Sequence, residues 1–424
     1  MLKPEDFDGA ADRMVEIYSR LENFILRDTA RRVLNAGKLT ATADRLIYKL
    51  EQFGESRQEI QKKLSELTGL SEKELRRLLQ DAVLTSWKDD AQVMSQIGIE
   101  ISTPLENKAY MRIIDAEYRK SLGELSNLTR TTMDAAQRDL INLLDDAEMR
   151  VSSGVQSYNA AAADVLDAYA GRGIMVTYPS GTRRTLEAAA RCCVVTSMNQ
   201  TAAQLTNQYI VEGGIEYILT SAHIGARTRQ PGQPALAGHD SWQGRVYKIR
   251  GSEPDAPNLL ESTGYDIDPQ TGNGAVVNPL GLHGYNCRHS HQPWDKRLRN
   301  PWRDEKGNLI DGTGSEITDA ENRERYKNSQ KQRAMERAIR KTKRQLIVKQ
   351  EEINASSGEY RDTLQAEYDA EAYRLIRQNK AYNEFCKEHN LQPQYDRNKL
   401  AGFGTTQAKA ANNGARRYQN AKGD

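Results

Sequence analysis

Cysteine is scarce in this 424-residue chain: there are four, and no two of them are spaced as CxxC. That excludes a disulfide framework and a paired-cysteine zinc finger. No run of eighteen apolar residues occurs, so no membrane-spanning helix is expected. The opening MLKPEDFDGAADRM carries acidic residues where a secretory signal needs an apolar core, which points to synthesis in a reducing cytoplasm. Phenylalanine is rare, with five residues, so large apolar bodies must come from Leu, Ile, Tyr and four Trp. No glycine-rich loop is followed by the Lys-Ser/Thr of a phosphate cradle, and no internal repeat is visible. The net charge of +2 is small but unevenly distributed.

What is present is mostly helix. The pattern predicts a mainly α protein with a central small α+β domain, a helical N-terminal segment and a basic helical C-terminal segment. At this length more than one core is expected. Residues 1–150 read as a helical region suited to partner binding, 151–315 as the α+β domain, 316–404 as the basic helical region, and 405–424 as a disordered polar tail. Within the first segment, breaks are expected at 35–38, 53–56, 67–74 and 102–107, with Ser71 and Glu74 forming a capping box. After Pro104, residues Tyr118, Leu122, Leu125, Thr129, Ala136, Leu140, Leu143 and Ala147 trace one apolar stripe. Their spacings of three and four, or the sum, suit packing within the chain or against a partner helix.

The central segment begins with a Pro-Ser-Gly turn at 179–181. A helix follows with Leu186, Ala190, Val194, Met198, Ala202, Leu205 and Tyr209 on one face, stopped by Gly213 and Gly214. IEYILTSAH and GRVYKI then read as strands. Between them lie long Gly-, Pro- and Asn-rich loops of the kind that are either functional or clamped by specific contacts.

The densest chemistry sits in GLHGYNCRHSHQPW, residues 281–294, which holds three of the six histidines and one cysteine. Cys287 and His289 share a face if the segment is extended, and His239 could complete three ligands for zinc, but the spacing of known zinc modules is absent. Cys287 with His239 or His289, oriented by Asp240 or Asn286, has the residue types of a thiol hydrolase. The architectural reading needs less: Trp242 and Trp294 supply bulk, and Gly238, Gly244, Gly281 and Gly284 permit turns. Arg227, Arg229 and Arg288 can tie loop carbonyls together. No catalytic residue and no cofactor is therefore assigned, with zinc as the one metal to consider. Cys192, Cys193 and His389 read as packing residues.

From 323 to 349 the chain carries eleven Arg or Lys against two Glu. Met335, Ile339, Thr342 and Leu346 form a narrow apolar strip, while Arg333, Arg337, Arg340, Lys341 and Arg344 cover another face. Such one-sided charge suits non-specific contact with duplex DNA backbone, with an acidic protein partner as the competitor. The next helix, over 358–389, is expected to turn Leu364, Tyr368, Ala372, Leu375, Tyr382 and Cys386 inward.

Three motifs in order carry a resemblance. The helix SGTRRTLEAAARCCVVTSMNQTAAQLTNQ comes first, then SAHIGARTRQ with HDSWQGRVY, then TGYD with GLHGYNCRHSHQPW. Together they resemble the phage minor capsid protein 2 family, related to Mu-type head morphogenesis proteins. The matching residues include Ser221, His223, Arg227, His239, Trp242, Gly244, Asn286, Cys287, Arg288 and His289, and the likeness runs over roughly 155–404. The resemblance implies a low-copy virion component inside the capsid near the portal vertex. Its implied partners are the portal, other head proteins, DNA and further copies of itself, and its implied work is head assembly, packaging or ejection. The alternative is a virion-carried enzyme, a nuclease or toxin-like transferase, built on the His/Cys cluster at 223–289.

Overall fold

A computed structural model describes residues 1–38, 42–154, 156–178 and 181–423. Pro179 and Ser180 of the expected turn lie outside the described residues. Helices α1 (Asp12–Ala36), α2 (Thr42–Gln96), α3 (Lys108–Ser152) and α4 (Tyr158–Arg172) come first. The hairpin of β1 (Met175–Thr177) and β2 (Arg183–Thr185), helix α5 (Leu186–Glu212) and strands β3 (Tyr217–Thr220) and β4 (Val246–Lys248) follow. Helix α6 (Leu259–Thr263) precedes the hairpin of β5 (Tyr265–Ile267) and β6 (Gly274–Val276), and β7 (His291–Trp294) closes the strand-bearing part. The chain ends in α7 (Asp319–Ala355), α8 (Gly358–Glu388), α9 (Tyr395–Asn398) and α10 (Thr405–Lys422). The protein is mainly α with small β elements, as the sequence pattern predicts. Among the described residues no helix is long and apolar enough to cross a membrane.

The chain divides into two compact units. One comprises Met1–Ala11, Glu72–Glu124 and Arg191–Gln330; the other comprises Asp12–Ser71, Leu125–Ala190 and Lys331–Asp424. This differs from a partition into consecutive segments at 150 and 315. The reason is that, of its five changes of unit, four fall inside α2, α3, α5 and α7 and one just ahead of α1.

Two expected helix breaks are absent. Helix α2 runs through 53–56 and 67–74, because Gly54 and Gly69 face open space and cost the helix only their entropy. Ser71 is therefore no N-cap: its hydroxyl donates to the Thr68 carbonyl (2.8 Å), and Glu74 accepts from Arg77 (2.6 Å). The break at 102–107 is real, and Asn107 opens α3 by accepting from the Ala109 amide at 2.8 Å.

The α3 stripe packs inside the chain in part: Leu125, Ala136, Leu140 and Ala147 are buried, while Tyr118, Leu122, Thr129 and Leu143 are half-buried. Leu144 takes the core position beside Leu143. Leu140, Leu144 and Ala147 join Leu26, Ala30, Val33, Ala162, Leu166 and Val348 in one apolar cluster. In the same unit Leu364, Tyr368, Ala372, Leu375, Tyr382 and Cys386 of α8 all point inward, with Ile339 and Leu346 of α7. The expected disordered tail is instead helix α10. Ala411, Gly414 and Ala415 make a small-residue strip, and a Cβ on Gly414 would lie 2.8 Å from Asp369 Oδ1. Arg417 then donates twice to the Asp369 carboxylate, at 2.7 and 2.6 Å.

The apolar face of α5 is buried as predicted, and in the other unit β3 is the centre of a three-stranded sheet ordered β4-β3-β7, both pairs antiparallel. The register sets Thr220 opposite His291 and Tyr217 opposite Trp294. Ile210, Ile218, Trp242, Tyr247, Tyr265 and Cys287 belong to the core over this sheet.

Candidate functional site

The stretch 281–294 is pinned from two sides. On one side the β3 ladder continues past its last residue: the Ser221 amide donates to Ser290 O (2.9 Å), and the Ser290 amide donates to Ser221 Oγ (3.0 Å). On the other side Asn199 of α5 donates from Nδ2 to the carbonyls of Cys287 (2.9 Å) and His289 (3.0 Å). A helix residue thus sets the register of a loop. His283 and Asn286 take left-handed backbone angles, φ 58° and 54°, which lets the chain reverse twice before β7. The Asn286 amide donates to Thr196 Oγ1 at 3.3 Å.

Five of the six histidines gather here in two groups. In the first, Asn199 Oδ1 accepts from His283 Nδ1 (2.9 Å), since both Asn199 N–H bonds are already directed at carbonyls. His283 Nε2 then meets His291 Nδ1 at 2.7 Å, and His291 Nε2 lies 2.9 Å from the Asn207 side chain, which in turn contacts Tyr265 Oη at 2.8 Å. All these side chains are buried, and burial holds His283 well below the usual imidazole range and His291 down at about 3.

The second group holds His239, Cys287 and His289, whose ligand-type atoms all lie within 4.8 Å of one another. Cys287 Sγ is 3.8 Å from His239 Nδ1 and 4.0 Å from His289 Nδ1. His239 Nε2 is 2.8 Å from Leu280 O, and His289 Nε2 is 3.1 Å from Gln243 Oε1. His223 stacks on His289 with ring centroids 4.4 Å apart, and Trp242 packs against both His239 (4.6 Å) and His289 (4.8 Å). Burial lowers His223 to about 4 and His239 to about 3, with Arg227 adding to the latter, and holds His289 well below the usual imidazole range. All three rings are neutral at neutral pH. Burial pushes the Cys287 thiol up to about 11, and the residue is fully enclosed. A thiol nucleophile needs the opposite, an accessible sulfur with a lowered pKa. The groups that orient the two rings are Leu280 O and Gln243 Oε1, rather than Asp240 or Asn286.

The remaining motif residues form the frame. Arg227 donates to the carbonyls of Leu280 (3.4 Å) and Tyr285 (2.7 Å), and its own carbonyl accepts from the His239 amide at 2.7 Å. Trp242 Nε1 donates to Leu236 O at 2.8 Å, and Arg288 pairs with Asp8 at 3.0 Å. Gly244 has φ 61°, which calls for glycine, and a Cβ there would also crowd Trp302 Cβ at 3.2 Å and Ala222 Cβ at 3.3 Å. Asn199, Asn207 and Tyr265 lie within the motif stretches, but only the structure shows their part in the site, and the carbonyl of Leu280 lies outside the motifs. Asn199 and Asn207 are eight residues apart on α5, among the buried residues of that helix.

The basic face of α7 divides in two. Arg340 pairs with Glu187 at 2.5 Å and also donates to the Arg397 carbonyl. Arg344 is buried, donates from Nε to Ala170 O (2.9 Å) and lies 3.8 Å from the Glu22 carboxylate. These two candidates for DNA contact are committed to the fold. Arg337 and Lys341 are exposed, as is Lys331, and Arg333 is half-buried.

A family model described as phage minor capsid protein 2 matches residues 2–387. That match takes in the N-terminal helices, which carry none of the motifs. No curated protein matches the chain, and no solved structure does either. Covering nearly the whole chain, the match makes this protein a member of the phage minor capsid protein 2 family.

Proposed function

We propose that the protein is a low-copy structural component of the phage head, seated inside the capsid at or near the portal vertex. There it assists head assembly, DNA packaging or genome ejection. The observation that carries this reading is the family match over residues 2–387. The enclosed His/Cys cluster supports it, since Cys287 and His289 are buried and their carbonyls are held by Asn199. Contact with duplex DNA runs through the exposed Lys331, Arg337 and Lys341, which would neutralise backbone phosphates without reading bases. The portal and other head proteins are its protein partners.

The test is quantitative mass spectrometry of purified DNA-filled particles of the source phage beside empty precursors. A few copies in each filled particle is the expected outcome. Absence from both kinds of particle would overturn the virion role.

A further inference from the structure

We infer that Cys287, His239 and His289 bind a zinc ion. Leu280 O can only accept, so the His239 nitrogen facing it at 2.8 Å, Nε2, carries the ring proton, and Nδ1 presents a lone pair. Gln243 is oriented by the His223 backbone amide, which donates to Oε1 at 3.0 Å. An amide turned the other way would set two donors against each other. Gln243 Oε1 therefore also accepts from His289 Nε2 (3.1 Å), and His289 Nδ1 is the second lone pair.

Both lone pairs face Cys287 Sγ, at 3.8 and 4.0 Å. One thiol hydrogen cannot serve two imidazole nitrogens, and its carbonyl neighbour, His289 O at 3.6 Å, competes for it. At least one buried acceptor is left without a donor, which a folded chain ordinarily avoids. A cation that takes the thiolate and both nitrogens removes that cost. With Zn–S near 2.3 Å and Zn–N of 2.0–2.1 Å, a tetrahedral ion holds sulfur and nitrogen about 3.6 Å apart. The observed separations approach that value to within a few tenths of an ångström.

The surroundings also suit zinc. Each ligand ring donates its other N–H to a carbonyl-type oxygen, the outer-shell arrangement that fixes tautomer and raises ligand basicity. A soft thiolate with two imidazoles selects zinc over magnesium or calcium. The fourth position of the tetrahedron falls to water. On binding, the thiol proton leaves to solvent as the Zn–S bond forms, with no change of oxidation state. The ion would join the segment after the 227–238 loop to the 281–290 loop, which have no strand pairing between them.

The experiment uses the purified full-length chain. Metal analysis after gel filtration is expected to find a single zinc ion per chain. The chelator-stripped protein should take up Co²⁺ with tetrahedral d–d bands and a thiolate-to-metal charge-transfer band. Cys287→Ser should abolish that band, and Cys386→Ser, a cysteine in another cluster, should leave it intact. Gln243→Leu should weaken zinc about 10- to 100-fold, while Gln243→Glu, which keeps an acceptor oxygen, should restore binding. Should Cys287→Ser fail to fold, the wild-type cobalt spectrum and the Gln243 pair decide. A folded wild-type chain with no charge-transfer band, or a Cys287→Ser chain that keeps it, overturns the site.

Discussion

The two histidine groups around β7 and the helical region around α7 and α8 both bury polar side chains, but of opposite kinds. In the histidine groups the buried side chains are neutral: imidazoles, amides and a thiol, each pointed at a backbone carbonyl or at another neutral group. The buried charge pair of that unit, the Met1 ammonium with Asp90 at 3.2 Å, stands apart from them. Around α7 the buried groups are whole charges. Lys349, almost fully buried, sits 2.8 Å from Asp167, 3.0 Å from Glu352 and 3.0 Å from Glu367, and Arg344 faces Glu22. Neutral hydrogen-bonded groups are inexpensive to bury until something protonates them. Buried charges are tolerated only while their partners remain. The first region should thus be sensitive to acid and the second to loss of a single partner.

The largest effect should come from breaking a charge pair in the helical region. Arg344→Ala leaves the Glu22 carboxylate enclosed without its cation and should cost about 3–5 kcal/mol in denaturant unfolding. Lys341→Ala, exposed on the same helix, should stay within about 0.5 kcal/mol. Equal losses in the two variants would erase the distinction drawn here.

Acid should act on the other region. The folded-state pKa of His291 lies below the ordinary 6.5, so the unfolded chain binds a proton there first as pH falls. Stability conferred by this neutral ring is full above about 6.5 and drains away down to about 3. The ring contributes a slope of up to about 1.4 kcal/mol per pH unit. Urea titrations followed by tryptophan emission at a series of pH values should show this loss, and a flat profile between pH 7 and 5 would contradict it.

A smaller effect concerns DNA. Arg337→Glu with Lys341→Glu should reduce the steepness of salt dependence by about 2 in the log–log plot of affinity, whatever the DNA sequence. The pair is chosen because Arg340 and Arg344 cannot be altered without disturbing the fold. Unchanged binding would remove the exposed face of α7 from the DNA contact. Smallest of all, Ser71→Ala should change stability by less than about 0.5 kcal/mol, against about 1 for a true N-cap. A larger loss would restore a helix start at that position.

Much of this was legible in the sequence because it rests on periodicity. The stripes of α3, α5 and α8, the strands β3 and β4 and the clustering of motif residues all follow from spacings of two, three and four. What was not legible depends on partners far away in sequence. Glycines at 54 and 69 look like breaks until their surroundings prove open. Helix α10 looks like a polar tail until Arg417 meets Asp369. Arginines at 340 and 344 look like a free basic face until Glu187 and Glu22 meet them from other segments. For the histidines, sequence gave their proximity but not their division into two groups, which is decided by Asn199 reading the carbonyls of Cys287 and His289.

That single amide has a consequence for how the chain can change in length. Between His283 and His291 each residue's facing is fixed by two carbonyls spaced two apart, so gaining or losing one residue would turn every ring to the wrong side. Residues 230–232, by contrast, are exposed, and Gly232 has nothing near it. Insertions and deletions among related chains should therefore accumulate at 230–232 and be missing from 283–291, so one loop serves as the place where length varies and the other as a fixed ruler.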